Sequence, residues 1–288
     1  MIRHLVVSSR PLSWINTAYP FALAYLLLAR PVDPLVLVVG TLYFLVPYNL
    51  AMYGINDVFD YESDLRNPRK GGVEGAVLAP ALHRPTLVAA AVTNVPFLVV
   101  LVLLGGWASW IVLAISVFAV IAYSAPVLRF KERPVLDSIT SATHFVSPAV
   151  YGLALAGAAP RASTVLVLVA FFCWGMASHA FGAVQDIPAD REAGIGSVAT
   201  VLGARATVVG SAVLYLAAGV LAGLSGWPVA LAGLLAIPYL VMVLPFVGIT
   251  DATAEQANRG WRRFLAINYG AGFGVTVLAI VASAVAAS

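Results

Sequence analysis

Apolar runs long enough to cross a bilayer as helices, roughly 20 residues each, alternate with short polar stretches along the whole chain. They fall at residues 12–29, 35–55, 85–104, 107–125, 138–158, 163–184, 206–224, 227–247 and 264–286, which predicts about nine transmembrane helices. Hydrophobic residues make up 61% of the 288 and charged residues only 10%. The mean hydropathy is +0.94, far outside the composition of soluble domains. The expected fold is an all-α polytopic membrane bundle forming a single transmembrane domain, 1–288.

Charge tests the helix count, because loops on the cytoplasmic side of a membrane are enriched in Lys and Arg. With nine crossings, every Lys and Arg except Arg30 and Arg161 falls on one side, as does every acidic residue except Asp33. A miscounted helix would scramble that split, so the pattern predicts a multi-pass protein of the cell membrane with a cytoplasmic N-terminus. No cleavable signal peptide is expected, since Arg3 to Arg10 lead into a segment long enough to stay in the membrane. The single cysteine, Cys173, lies inside the sixth segment, which leaves no disulfide or zinc site within this chain. The basic residues are spread over the loops that the topology rule requires, so nucleic acid is not an expected partner.

Asn56-Asp57-Val58-Phe59-Asp60-Tyr61-Glu62-Ser63-Asp64 follows the second apolar run directly. Carried onward as a helix, it puts Asn56, Asp57, Asp60 and Asp64 on one face while Glu62 points away. Like charges on one face repel unless cations sit between them. Hard oxygen ligands favour Mg²⁺, which keeps waters or takes phosphate oxygens instead of being caged wholly by protein. The run predicts a metal-bridged phosphate ligand, with Asp57, Asp60 and Asp64 as metal-binding and catalytic candidates.

A second acidic run, Gln185-Asp186-Ile187-Pro188-Ala189-Asp190, follows the sixth segment, with Pro188 marking a kink or helix end. Both runs follow even-numbered helices and are expected on the same side. Each half of a four-plus-four bundle would then offer carboxylates, Asp186 and Asp190 from this one, to a central cavity where Mg²⁺ clamps a diphosphate. The mouth of that site is expected to be cytoplasmic. His179 lies on the Asp186 face as a cavity candidate, and Gln185, which precedes that carboxylate, is a candidate for binding the diphosphate. Between the runs lies Tyr123-Ser124-Ala125-Pro126-Val127-Leu128-Arg129-Phe130-Lys131, in which Lys131 serves as a point charge and Arg129 as a planar fork for phosphate. Arg66, Arg69 and Lys70 follow the first run, in a loop loosened by Gly71, Gly72 and Gly75. Among polar residues within the helices, Asn49, Asn94 and Asn268 read as glue between helices, and Asn16 as a cavity residue. Trp14, Tyr53 and other aromatics offer π faces to a carbocation.

The stretches NDVFDYESD (56–64), DIPAD (186–190) and YSAPVLRFK (123–131) resemble the UbiA superfamily of intramembrane prenyltransferases, and the likeness covers essentially the whole chain. The resemblance implies nine helices around a central cavity, Mg²⁺ dependence, and transfer of a prenyl group from a prenyl diphosphate. By match to its motifs, Asn56, Asp60, Asp186 and Asp190 hold Mg²⁺ with Asp57 and Asp64 in support, while Tyr123, Lys131 and Lys70 or Arg69 meet the diphosphate. The loop NPRKGGVEGAV (67–77) departs from the Arg-Pro-rich loop of members acting on hydroxybenzoate-type acids. With the opening RPLSWINTAYPF (10–21), it looks more like bacterial lycopene elongases, which use dimethylallyl diphosphate to lengthen lycopene toward C50 carotenoids. A lipophilic acceptor entering from the bilayer, and membrane-protein partners of the same pathway, are implied.

Prenylation of an aromatic quinone precursor is the alternative within the family. A transporter with an acidic cation site would instead place ionisable groups near the midplane with access from both sides. A phosphotransferase acting on CDP-activated alcohols would show a DGxxAR signature, which neither acidic run carries. An accessory structural subunit would need no acid pairs.

Overall fold

Helices follow the apolar runs. The computed structural model describes residues 2–61, 65 and 77–287. In chain order the helices are α1 (Ile2–Ser8), α2 (Ile15–Leu28), α3 (Pro34–Leu45), α4 (Pro47–Phe59), α5 (His83–Leu104), α6 (Trp107–Ser124) and α7 (Leu136–Leu155). There follow α8 (Ala162–Val184), α9 (Ile187–Glu192), α10 (Val198–Leu202), α11 (Ala204–Gly223), α12 (Ala236–Val243) and α13 (Asn258–Ala287). Among the described residues there is no strand.

Each predicted segment carries a helix, and seven helical runs among the described residues are long and apolar enough to cross a membrane: 34–59, 80–104, 107–124, 162–184, 204–223, 229–246 and 251–285. Two predicted crossings fall outside that set. Helix α2 has only 14 residues. Helix α7 has 20 but holds Asp137, Ser138, Thr140, His144 and Ser147, all buried in protein. The apolar spans expose the opposite chemistry: Val92 (65%) and Leu103 (78%) of α5 face outward, as lipid-facing side chains do.

The chain divides into two compact units, Met1–Phe130 with Thr143–Ala158, and Lys131–Ala142 with Ala159–Ser288. In the first, the core is aromatic: Phe21 stacks on Tyr25 and Tyr151, and Phe44 packs edge-on against Tyr43, Tyr48 and Tyr151. Small residues let the backbones approach. A Cβ on Gly152 of α7 would stand 2.8 Å from the Phe21 carbonyl oxygen and 3.1 Å from the Tyr25 amide in α2. The second unit packs Ala177, Phe181 and Val184 of α8 with Val208 and Tyr215 of α11 and Tyr239 of α12. Tyr215 stacks on Tyr239 and Trp261 on Phe264.

With no water in hydrocarbon, backbone groups freed by helix breaks need internal partners. The chain breaks between α3 and α4 at Val46–Pro47, which leaves the last α3 carbonyls open. Asn49 donates to Phe44 O (2.8 Å), Leu45 O (3.1 Å) and Thr17 Oγ1 (2.7 Å), and Thr17 donates to Phe44 O (2.7 Å). Pro148 lacks the N–H that would reach His144 O; Tyr48 donates to that carbonyl instead (3.4 Å). Asn94 donates to Pro47 O at 2.7 Å, and Asn268 accepts from Tyr239 at 2.7 Å. Asn49 and Asn94 therefore join helices as the sequence predicted, and Asn268 ties α13 to α12.

Candidate active site

In the first unit, α4 carries the start of the first acidic run to a helix end. Asn56 and Asp57 lie in its last turn, and Asp60 caps it with φ −99° and ψ 0°, its amide still bonded to Asn56 O at 2.9 Å. Helix α4 thus ends at Phe59, and Asp60 stands about one turn beyond Asn56 and Asp57, on a common side. Asn56 Nδ2 donates to Asp60 Oδ2. Asp57 is completely buried and Asp60 nearly so. Glu62 and Asp64 lie outside the described residues, as do Arg66, Arg69, Lys70, Gly71, Gly72 and Gly75.

Asp57 meets a residue that the sequence did not single out. Arg10 Nη2 lies 3.2 Å from Asp57 Oδ1, and the guanidinium carbon stands 4.3 Å from the centroid of the Tyr53 ring. Tyr53 therefore gives one π face to Arg10. Trp14 is held locally, its Nε1–H donating to Ser9 O at 2.9 Å and Ser9 Oγ at 3.1 Å. Asn16 is half-buried. Tyr123, also half-buried, meets His144 edge-on at 5.2 Å between ring centroids.

The stretch between α6 and α7 carries Arg129 and the 3₁₀ turn Phe130–Glu132, which contains Lys131. Val127 (φ 74°), Arg129 (φ 38°) and Val135 (φ 73°) all adopt the left-handed region. A side chain bearing a Cβ pays roughly 1–2 kcal/mol there, and such strain persists where the surrounding structure over-determines the backbone. Spacing alone could not reveal it.

In the second unit, α8 ends at Val184 and α9 begins at Ile187 with Pro188 in its first turn, the break that Pro188 predicted. Asp186 precedes α9, and its side chain makes no capping bond to it; the Asp190 amide donates to Asp186 O at 2.8 Å. Both carboxylates are half-buried. Gln185 has other work: its Nε2 donates to Gly182 O (3.0 Å) and its Oε1 accepts from Asn258 Nδ2. That engagement ties α8 to α13 and leaves less of the side chain for a diphosphate. His179 shares a hydrogen bond with Ser138 Oγ at 3.1 Å. The fully buried Asp137, which the sequence passed over, accepts from the amides of Ser138 and Val198, each at 2.7 Å. Arg191 pairs with Asp251 at 2.6 Å, and Asp251 also accepts from the Ala204 amide at 2.7 Å, which anchors α9 against α11. A separate cavity of about 430 Å³, lined by Pro245, Phe246, Ile249, Arg259 and Arg263 among others, contains none of the acidic-run residues.

Among the described residues no three His, Cys, Asp or Glu side chains gather into a metal-holding group. Asn56 and Asp60 in the first unit, and Asp186 and Asp190 in the second, each offer hard oxygen donors, the chemistry that suits Mg²⁺.

These features define a polytopic all-α membrane protein with carboxylates and basic groups at helix ends. The chain belongs to the UbiA prenyltransferase family, whose model matches residues 17–286, and it is accordingly a prenyltransferase. It is 55% identical over 279 residues to a lycopene elongase/hydratase of Corynebacterium glutamicum, covering 97% of both chains. It is 60% identical over 281 residues to a C(50) beta-cyclic carotenoids biosynthesis protein of Dietzia sp., but spans only 65% of that protein's length. Among solved structures, a UbiA homolog from Archaeoglobus fulgidus bound to DMAPP and Mg²⁺ matches with a TM-score of 0.70 at 18% identity, over 93% of this chain and 98% of that one. That likeness shows the fold.

Proposed function

We propose that this chain transfers a dimethylallyl group from its diphosphate to lycopene, in C50 carotenoid biosynthesis. The observation that carries the reading is the likeness to the Corynebacterium lycopene elongase/hydratase, at 55% identity over nearly the full length of both proteins. The solved homolog with DMAPP and Mg²⁺ supports the donor and the ion.

Asn56, Asp60, Asp186 and Asp190 would hold Mg²⁺, with Asp64 in support, and the bound ions would offset the charge on the departing diphosphate. Lys131 and Arg129, with Arg69 or Lys70, bind phosphate oxygens. Tyr123 joins them, its ring braced by His144. In the reaction the allylic C–O bond breaks, diphosphate leaves with the electron pair, and a terminal double bond of the polyene attacks the allylic carbon. The new C–C bond leaves a tertiary cation that loses a proton, or takes up water and releases a proton. Apolar spans exclude bulk water from the allylic cation, and the insoluble acceptor enters from lipid. The polar ends of the helices are proposed to face the cytoplasm.

The test incubates membranes containing the protein with radiolabelled dimethylallyl diphosphate, Mg²⁺ and lycopene, followed by lipid extraction. Label in a longer carotenoid is expected, and Asp60→Ala or Asp186→Ala should each reduce it on the order of 10²-fold or more while the protein still inserts. Label that ignores lycopene but enters an added phenolic acceptor would overturn the acceptor assignment.

A further inference from the structure

Arg10 stands 47 residues before Asp57, outside both acidic runs, and reads in the sequence as one more topology-setting cation. The structure gives it a specific place. It closes the turn after α1 in the left-handed conformation (φ 50°, ψ 74°), and that turn delivers the guanidinium onto Asp57 and over the Tyr53 ring. Its Nε is buried with no acceptor among the described residues. Arg10 thus gives up hydration and an unstrained backbone in reaching this carboxylate. Asp57 is completely buried while the Arg10 side chain keeps 19% of its exposure. A carboxylate so deep persists as an anion only with a counter-charge and hydrogen bonds, and a guanidinium supplies both at any physiological pH.

We infer that Arg10 is a positioning residue, the fixed counter-ion of Asp57, and that this pair orients the end of α4 while the divalent ion is left to Asn56 and Asp60. The inference rests on the reading above that the first acidic run binds Mg²⁺. Asp57 then carries no metal bond; its negative charge is spent on Arg10, which keeps one carboxylate of a crowded run from competing for the cation. Arg10, in turn, touches neither donor nor acceptor.

The test measures Mn²⁺ binding, by the electron paramagnetic resonance signal of the free ion, to the full-length detergent-purified protein without substrate. Asp57→Asn should weaken Mn²⁺ binding by no more than about tenfold, the loss expected of an outer group, whereas Asp60→Asn, which removes a ligand, should weaken it more than about a hundredfold. Arg10→Gln removes a positive charge beside the site and should tighten Mn²⁺ binding by about tenfold at low salt while transfer activity falls. Simple misfolding would lower both. Arg10→Lys should restore Mn²⁺ affinity to the parent value, and Arg10→Gln with Asp57→Asn should restore it also. Should Arg10→Gln fail to fold, the two Asp variants decide alone. Asp57→Asn weakening Mn²⁺ as much as Asp60→Asn would overturn the inference. Indifference of Mn²⁺ binding to Asp60→Asn would instead overturn the metal reading beneath it.

Discussion

Single side chains do in this molecule what water does elsewhere. Asn49 is fully buried and serves two carbonyls at the α3 end and the hydroxyl of Thr17. Replacing it with Leu keeps the volume but leaves Leu45 O without its donor, while Phe44 O still accepts from Thr17. One unsatisfied buried carbonyl costs about 1–3 kcal/mol, so Asn49→Leu should lower the unfolding midpoint in detergent. Thr17→Val removes a donor from a carbonyl that Asn49 also serves, and should lower it less. Equal losses would show that the two bonds are not redundant at Phe44. The Asn49 role was legible in the sequence, because an amide in an apolar helix has few other uses. The Arg10 role was not: its partner lies 47 residues away, and its approach depends on a left-handed turn that no local pattern announces. Asp137 escaped notice for the same reason, since its partner amide, Val198, is 61 residues distant.

At the level of elements, what the chain needs is close approach. Gly152 faces α2 backbone atoms, the Phe21 carbonyl oxygen and the Tyr25 amide. A methyl group there also meets the Ala24 Cβ, which cannot turn aside, so Gly152→Ala must shift a helix. A Cβ on Gly40 of α3 would collide with the Phe21 ring, which is the far end of a side chain and can turn. Overpacking costs about 1–3 kcal/mol, and Gly152→Ala is expected at the upper end of that range with Gly40→Ala below it, as read from detergent unfolding midpoints. The reverse order would mean that the Phe21 ring is held more firmly than the α2 backbone. The short α1, α9 and α10 lie outside every apolar run, whereas the long helices were readable from apolar length alone. The interruption at Val46–Pro47, which turns the predicted run 35–55 into α3 and α4, was not, because prolines are tolerated inside membrane helices and only tertiary partners decide whether the ladder continues.

For the whole molecule the open quantity is parity. Between Ala159 and Glu255 lie the runs 162–184, 204–223 and 229–246, each long and apolar enough to cross. Three crossings put the two positions on opposite sides, independently of the shorter α2 and the more polar α7. Between Val77 and Ala159 lie α5, α6 and α7. If α7 crosses, Val77 shares a side with Glu255; if it does not, Val77 shares a side with Ala159. Helix α7 has 20 residues, about 30 Å at 1.5 Å per residue, which matches a hydrocarbon core, and its polar side chains are buried in protein, where the bilayer does not penalise them. It should therefore cross. The charge asymmetry that sets Arg30 and Arg161 apart from the remaining Lys and Arg makes the same demand and predicts that the Val77 side faces the cytoplasm. In a Cys173→Ala background, single cysteines at positions 77, 159 and 255 can be challenged in intact cells with a membrane-impermeant maleimide. Position 159 should label directly, and positions 77 and 255 only after permeabilisation. Labelling of 77 together with 159 would remove α7 from the membrane, and labelling of 255 without permeabilisation would invert the proposed orientation.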